Sequence, residues 1–157
     1  MRILSVASEV YPLVKTGGLA DVAGALPLAL AAHAIEVKTL LPAYPGVIDR
    51  MHPRANYGGI SDLFGGPARL ISGRTEGGAE ILAIHAPHLY ERAGGQYLAP
   101  DGHDWPDNAR RFAALSWVGR ELALGHLGPW VPQLVHAHDW QAGLTPGEME
   151  RWMRLLI

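Results

Sequence analysis

Two adjacent glycines between an apolar segment and an Ala/Leu-rich segment constrain the fold of this chain more than any other feature. Residues 3–7 form a short apolar run typical of a buried strand, and residues 19–33 have the composition of a helix. Gly17 and Gly18 lie between them and let a ligand approach the backbone, because no Cβ stands in the way. The first N–H groups of the helix point to the same place, where Lys15 adds a positive charge. This order of strand, glycine loop and helix indicates an anion site, with a plain tight turn beside a solvated lysine as the alternative.

The stretch at 15–27 matches neither of two common phosphate-binding fingerprints. It lacks the Gly-Lys-Ser/Thr ending of a Walker loop, and its glycines do not follow the G-x-G-x-x-G spacing of dinucleotide-binding proteins. The interpretation as an anion site therefore depends on the order of the segments and on the chemistry of glycine, lysine and a helix N-terminus.

The composition predicts a soluble globular domain and argues against several classes of partner. The chain has 157 residues, of which 48% are apolar and 18% charged, enough to bury a sizeable core. A formal net charge of −2 gives no basic excess of the kind that nucleic-acid binding needs. The chain has no cysteine and no apolar run of the roughly 20 residues that a membrane span requires. We therefore expect a cytoplasmic protein with no nucleic-acid or membrane partner.

The other segments alternate apolar runs with helical segments and turns, which is typical of an α/β fold. Strands are expected at 34–41 and 132–137, and the runs at 68–72 and 80–85 predict a hairpin. Residues 49–67 are rich in glycine and weakly patterned, so we expect a surface excursion there.

The helical segments carry two further expectations. Pro27 lies inside the first helix and is expected to kink or split it, because proline lacks an N–H group. Asp107 and Asn108 are expected to cap a second helix that runs to about Gly125. Its core-facing positions recur at helical spacing and are Phe112, Leu115, Val118 and Leu122.

The candidate functional residues follow predicted strands. A long polar loop at 91–106 follows the strand at 80–85, and loops of this length are usually functional or mobile. In open α/β sheets, ligands bind at the carboxyl ends of the strands. The glycine loop, the region of Pro87 and Asp139 all fall at such ends.

Four motifs occur in order along the first 146 residues. S-E-V-Y-P-L-V-K-T-G-G-L-A-D-V spans residues 8–22, and L-P-A-Y-P spans 41–45. D-N-A-R-R-F spans 107–112, and V-H-A-H-D-W-Q-A-G-L spans 135–144. Together they resemble the bacterial glycogen synthases and plant starch synthases, an ADP-glucose-dependent family of glucosyltransferases.

The resemblance implies a retaining enzyme that moves glucose from ADP-glucose to the non-reducing end of an α-1,4-glucan, with no metal ion or other cofactor. The family fold, GT-B, has two Rossmann-like domains and an active site in the cleft between them. The matched part corresponds to an incomplete N-terminal domain, a Rossmann-like, mostly parallel sheet with flanking helices. We therefore expect residues 1–146 to be this domain, 147–157 to be a divergent tail, and the chain alone to have little or no transfer activity.

The resemblance gives the glycine loop a role in substrate binding. Lys15 matches a lysine that lies near the donor phosphates, and Gly17 and Gly18 would offer backbone N–H groups to phosphate. Asp21 matches a position near the sugar, where it would accept a hydrogen bond from a glucose hydroxyl. The alternative for Asp21 is a carboxylate that only complements the helix dipole, and both interpretations are open.

Two more residues receive a substrate-binding role from the resemblance. Tyr97, in the long loop, falls where the family has a tyrosine near the donor, and Asp139 matches an aspartate that lines the sugar pocket. A zinc site at His136 and His138 is a weak alternative, because two residues on one face of a strand could bind metal but the rest of the H-x-H-x-D-H pattern is missing. His136 is instead expected to be a core histidine satisfied by hydrogen bonds.

Ala34 departs from the resemblance, because the family commonly has glycine after the helix. If this position needs a left-handed backbone, alanine costs on the order of 1 kcal/mol there, which the fold would survive.

A non-catalytic module that binds nucleotide sugar, glucan or a partner protein is the rival hypothesis. The apolar run at 152–157 and an uncovered sheet edge motivate it.

Overall fold

Four adjacent parallel strands form most of a six-stranded sheet in the computed structural model, which describes residues 1–146. The parallel strands are β1 (Arg2–Val6), β2 (Glu36–Pro42), β5 (Glu80–His85) and β6 (Leu134–Ala137). The antiparallel strands are β3 (Ala55–Ile60) and β4 (Ala68–Arg74). The strand order is β3-β4-β5-β2-β1-β6. The mostly parallel sheet and the hairpin of β4 and β5 confirm the predictions from the sequence.

Helices connect the parallel strands and cover the sheet. They are α1 (Gly18–Ala31), the short α2 (Pro87–Tyr90) and α3 (Asn108–Ala123). The chain passes from β1 through α1 to β2, and from β5 through α3 back to β6, so the two crossovers run in opposite directions along the sheet. Because parallel crossovers are almost always right-handed, α1 and α3 lie on opposite faces. The central strands are covered on both faces, which explains their nearly continuous apolar sequences.

The core lies between the central strands and the two longer helices. Its fully buried strand residues include Leu4, Val6, Leu40, Leu41, Leu82 and Ile84. The side of α3 that the sequence predicted to face inward is buried as well, at Phe112, Leu115, Val118 and Leu122. Burying each such side chain stabilises the fold by about 1.5–3 kcal/mol relative to exposure.

Two segments differ in part from what the sequence predicted. Pro27 does not split the first helix, because α1 continues through this buried residue with one backbone hydrogen bond fewer. The segment at 49–67 is mostly exposed, as a surface excursion should be, but it contains the strand β3, which was not predicted. This strand pairs with β4 through backbone hydrogen bonds, with a register shift between Asn56 and Gly58. Glycines and a bulge hide the period-two pattern that identifies a strand in a sequence.

The position after α1 has the backbone that a glycine would prefer. Ala34 has a φ of 55°, in the left-handed region, so the conditional prediction of backbone strain at this alanine is confirmed.

The predicted tail and the helices were the subject of two further expectations. Residues 147–157, including the predicted divergent tail and its apolar run at 152–157, lie outside the described residues. None of the helices within residues 1–146 has the length and apolar character needed to cross a bilayer.

Candidate functional site

The candidate site lies at the end of the sheet where the parallel strands have their carboxyl termini, and this end is called the carboxyl edge below. The segment that contains the glycine loop, defined as residues 15–18, follows β1. The long loop, defined as residues 91–106, follows α2 after β5, and Asp139 comes directly after β6. The structure thus brings three segments singled out in the sequence to the carboxyl edge.

Lys15 and Asp21 form an ion pair at the start of α1. The Nζ atom of Lys15 lies 2.6 Å from Oδ2 and 2.7 Å from Oδ1 of Asp21. Both side chains are about half exposed, at 45% and 54%. Pairs this exposed contribute about 0–1 kcal/mol, so an anionic ligand can displace the carboxylate from the lysine at small cost.

The two glycines of the loop differ in what they offer a ligand. The N–H of Gly17 donates to the Glu9 carboxylate at 3.3 Å. This N–H, which was expected to bind phosphate, therefore already has a partner within the protein. Gly18 is the first residue of α1, and its N–H is one of the groups that no helical carbonyl accepts. A Cβ at Gly18 would meet nothing within 4 Å, so the space beside this residue is open.

Gly24 lets the preceding segment of chain lie directly on α1. A Cβ on Gly24 would stand 2.5 Å from the backbone oxygen of Tyr11. The N–H of Tyr11 donates to the backbone oxygen of Ala20 at 3.0 Å. The path of the chain into the glycine loop is therefore fixed by contact with the helix backbone, which only a glycine permits here.

Tyr97 anchors the long loop on the segment that follows β1. Its hydroxyl lies 2.8 Å from the Ser8 hydroxyl and donates to Oε1 of Glu9 at 3.0 Å. Burial, opposed by the hydrogen bond with Ser8 and assisted by the charge of Glu9, raises the pKa of Tyr97 to about 12. The phenol is therefore a neutral donor at physiological pH, engaged with the protein.

Arg111 is a fully buried cation that sequence reasoning missed. Its guanidinium donates to the backbone oxygens of Leu89 and Gln96 and to Oδ1 of Asn108, at 2.7–2.8 Å. It also lies 5.7–5.9 Å from the ring centroids of Tyr44, Tyr90 and Phe112. Burial lowers the pKa of Arg111, but a guanidinium stays charged in proteins. The arginine of the D-N-x-x-R-F motif thus lies beneath the long loop and binds its backbone. Its position on the otherwise apolar face of α3 is the sequence feature that could have predicted its burial.

Asp107 and Asn108 do not cap α3 through their side chains, contrary to expectation. Asp107 stands at the N-cap position without a side-chain cap bond, and its carboxylate accepts two hydrogen bonds from Arg92, at 2.8 and 2.9 Å. Partial burial raises the pKa of Asp107, but the hydrogen bonds and charge of Arg92 outweigh it and hold the pKa below its ordinary value. The Asn108 amide donates to the backbone oxygen of Tyr97. Both side chains therefore bind residues of the long loop, Arg92 and Tyr97, instead of the free N–H groups at the start of α3.

Asp139 has a backbone conformation that L-residues rarely adopt. Its φ is 61° and its ψ is −176°, and its Oδ1 accepts a hydrogen bond from the N–H of Trp140 at 2.7 Å. The ring of Trp140 meets the Phe112 ring edge-on, with centroids 5.2 Å apart. Strain of this kind costs of order 1–3 kcal/mol and is concentrated at functional sites. The exposed Asp139 is therefore held beside the site by its hydrogen bond with Trp140, whose ring packs on Phe112.

His136, in β6, and His138, directly after β6, have different environments. His136 is exposed, so the expectation of a core histidine there was wrong, and His138 is the buried one. The Nε2 atom of His138 lies 3.0 Å from the Ser5 hydroxyl, and the two imidazole rings are 4.0 Å apart. Because β6 is an edge strand, only the residue beyond its end turns into the core. Across residues 1–146, no three His, Asp or Glu side chains are grouped as a metal site requires.

A pocket of about 310 Å³ separates the glycine loop from the long loop. Three cationic side chains line it, those of Lys15, Arg50 and Arg92. Arg50 donates to the backbone oxygens of Pro12 and Leu13, which fixes the chain that leads into the glycine loop. The wall of this pocket is suited to an anionic ligand.

Comparison with known proteins places this site in a family context. The family model described as the starch synthase catalytic domain matches residues 2–155. A glycogen synthase of Rhodopseudomonas palustris (strain BisB18) is 56% identical over 143 residues, which cover 91% of this chain and 29% of that protein. A glycogen synthase of Cereibacter sphaeroides is 55% identical over 152 residues, 96% of this chain and 31% of that protein.

A solved structure has a fold similar to that of this chain. It is the catalytic domain of Starch Synthase IV from Arabidopsis thaliana bound to ADP and acarbose, with a TM-score of 0.72 and 26% sequence identity. The match covers 92% of this chain and 29% of that one. The chain thus spans about 30% of the length of the relatives it matches. Since the family model matches residues 2–155 and a solved starch synthase structure aligns with a TM-score of 0.72, this chain belongs to the starch synthase catalytic domain family.

Proposed function

We propose that this chain forms the N-terminal part of a glucosyltransferase that uses ADP-glucose to extend an α-1,4-glucan in the cytoplasm, and that it contributes Lys15 and the glycine loop to the donor site. The observation that carries the proposal is the position of Lys15 at the open N-terminus of α1, in a chain whose relatives are named glycogen synthases. Because the chain spans about 30% of those relatives, the complete transfer reaction is proposed for an enzyme of their length.

Lys15 and the start of α1 would hold the diphosphate of the donor. In glucosyl transfer, the 4-hydroxyl oxygen of the acceptor glucan forms a bond with the anomeric carbon while the bond from that carbon to the phosphate oxygen breaks. Negative charge grows on the leaving ADP, whose phosphate takes the proton of the acceptor hydroxyl. The ammonium of Lys15, the N–H of Gly18 and the helix dipole stabilise that charge where it develops. The solved relative that bound ADP supports this choice of ligand.

Asp21 and Asp139 would bind the hydroxyl groups of the transferred glucose. Both carboxylates are exposed at the carboxyl edge of the sheet, and an ionised carboxylate is a strong acceptor for sugar hydroxyls. Asp21 would exchange its lysine partner for a sugar hydroxyl when the diphosphate engages Lys15.

Titration of the chain with ADP tests this proposal. We expect Lys15→Gln to weaken ADP binding by about tenfold or more, because a charge-assisted contact is lost. Lys38→Gln is the matched control, because Lys38 also pairs with carboxylates, those of Glu36 and Glu80, but at the opposite edge of the sheet. The proposal fails if the unmodified chain does not bind ADP, or if both substitutions weaken binding equally.

Transfer activity is a separate measurement. We expect the 157-residue chain to bind ADP-glucose without ordinary turnover on glycogen, since the family's cleft is formed by two domains. Incorporation of labelled glucose into glycogen at an ordinary enzymatic rate would contradict this expectation.

A further inference from the structure

Glu9 is a buried carboxylate for which the proposed reaction has no direct use. It is 3% exposed and lies two residues beyond Ala7, at the end of the apolar run that contains β1. Buried carboxylates require hydrogen-bond donors, and Glu9 receives them from two different parts of the chain.

The first set of donors belongs to the glycine loop. The N–H and the hydroxyl of Thr16 both donate to the Glu9 carboxylate, the hydroxyl at 2.9 Å. The N–H of Gly17 donates at 3.3 Å. Consecutive N–H groups that converge in this way form a small anion-binding concavity, which the carboxylate of Glu9 fills from inside the protein.

The second donor belongs to the long loop. The hydroxyl of Tyr97 donates to Oε1 of Glu9 at 3.0 Å, across 88 positions of the sequence. The ring of Tyr97 also contacts Phe112 on α3, with centroids 5.8 Å apart. One carboxylate therefore joins the two loops on either side of the 310 Å³ pocket.

We propose that Glu9 is a positioning residue that fixes the glycine loop and the long loop relative to each other. Its carboxylate occupies the N–H groups of Thr16 and Gly17, which leaves Gly18 and Lys15 as the parts of the loop that face a ligand. The consequence for ADP binding rests on the proposed function, whereas the coupling of the two loops does not.

Hydrogen exchange on the complete 157-residue chain tests the coupling directly. We expect Glu9→Gln to raise the exchange rates of the Thr16 and Gly17 amides and of residues 91–106 by roughly tenfold or more, because charged acceptors hold local structure more strongly than neutral ones. Tyr97→Phe removes the connection between the long loop and Glu9, together with the hydrogen bond between Tyr97 and Ser8, and keeps the hydrogen bonds from Thr16 and Gly17 to Glu9. It should therefore raise exchange at 91–106 and leave Thr16 unchanged. This variant keeps the proposal testable if Glu9→Gln fails to fold.

Thr75→Val is the matched control for a general loss of stability. It deletes a buried hydroxyl that accepts a hydrogen bond from Ala79 in the turn between β4 and β5, at the opposite edge of the sheet. Its effect on exchange should not be concentrated in the two loops. If Glu9→Gln gives the same pattern as Thr75→Val, or if Tyr97→Phe leaves 91–106 unchanged, Glu9 does not couple the loops.

ADP titration of the same variants connects the coupling to function. We expect Glu9→Gln to weaken ADP binding on the order of tenfold, because Lys15 and Gly18 are no longer held in position for the diphosphate. Thr75→Val should leave ADP binding unchanged. Unchanged ADP affinity in Glu9→Gln overturns the consequence for ADP binding, while the exchange pattern decides the coupling of the two loops. If the unmodified chain does not bind ADP at all, the proposed function fails, and the exchange pattern alone decides whether Glu9 couples the loops.

Discussion

The ammonium group of Lys15 lies 2.6 Å from the carboxylate of Asp21, so the cation and the anion at the start of α1 neutralise each other when no ligand is present. A phosphate that approaches Lys15 has to displace Asp21, and the displaced carboxylate is then free to accept a hydrogen bond from a neighbouring hydroxyl. The pair thus connects recognition of the diphosphate with recognition of the sugar.

Asp21→Asn separates the two roles of this carboxylate. ADP binding should strengthen about two- to fivefold, because a negative charge near the phosphates is removed. The preference for ADP-glucose over ADP should fall by about tenfold, because a charged acceptor for a sugar hydroxyl is lost. Calorimetric titration with both ligands measures this ratio. Asp62→Asn, in the exposed turn between β3 and β4, should leave it unchanged. An unaltered ratio in Asp21→Asn would leave Asp21 with only the dipole role.

Ala34→Gly should stabilise the chain. Ala34 has a φ of 55°, which costs alanine on the order of 1 kcal/mol and glycine nothing, so the free energy of unfolding should rise by about that amount. Ala32→Gly is the control, since Ala32 has right-handed φ and ψ values and glycine there should destabilise. Urea unfolding of the three proteins measures both effects, and a loss of stability in Ala34→Gly would contradict the strain.

Gly24→Ala should destabilise the chain, although alanine is the better helix former. The added Cβ would stand 2.5 Å from the backbone oxygen of Tyr11, which has to shift, at a cost of about 1–3 kcal/mol. Without that contact, the same change in a helix would stabilise by about 1 kcal/mol. Gly59→Ala is the control, because a Cβ there meets nothing within 4 Å. Thermal unfolding decides the sign, and a more stable Gly24→Ala protein would refute the close approach.

The sequence predicts those parts of the fold that depend on local chemistry. The apolar runs identify β1, β2 and β5, and helical spacing identifies the buried face of α3. The left-handed position of Ala34 was expected conditionally, because the family that the sequence resembles commonly has glycine there. These features depend on residues close together in the chain, which is why one sequence suffices.

The arrangement of the site depends instead on partners that are distant in the chain. Glu9 contacts Tyr97 across 88 positions, and Asp107 prefers Arg92 to the end of its own helix. The environment of His136 depends on which strand forms the edge of the sheet, which no local pattern specifies. The order and spacing of residues within the motifs therefore locate the site, whereas the side-chain partners inside it emerge only from the three-dimensional structure.

His138 makes the stability of the chain depend on pH. Burial, assisted by the charge of His136, lowers the pKa of His138 to about 4 from an ordinary value of 6.5. Between these values the unfolded chain binds a proton that the folded chain does not, so stability falls as the pH drops from about 6.5 towards 4. The slope from this one group is at most about 1.4 kcal/mol per pH unit.

His138→Asn removes this titration and keeps a polar group near Ser5, so the loss of stability between pH 6.5 and 4 should become smaller. Urea unfolding followed by tryptophan fluorescence over this range measures the slope, and the difference between the variant and the unmodified chain isolates His138 from carboxylates that titrate in the same range. His103→Asn is the control for the substitution itself, because the His103 side chain is 86% exposed. If both variants keep the slope of the unmodified chain, the buried imidazole is not its source.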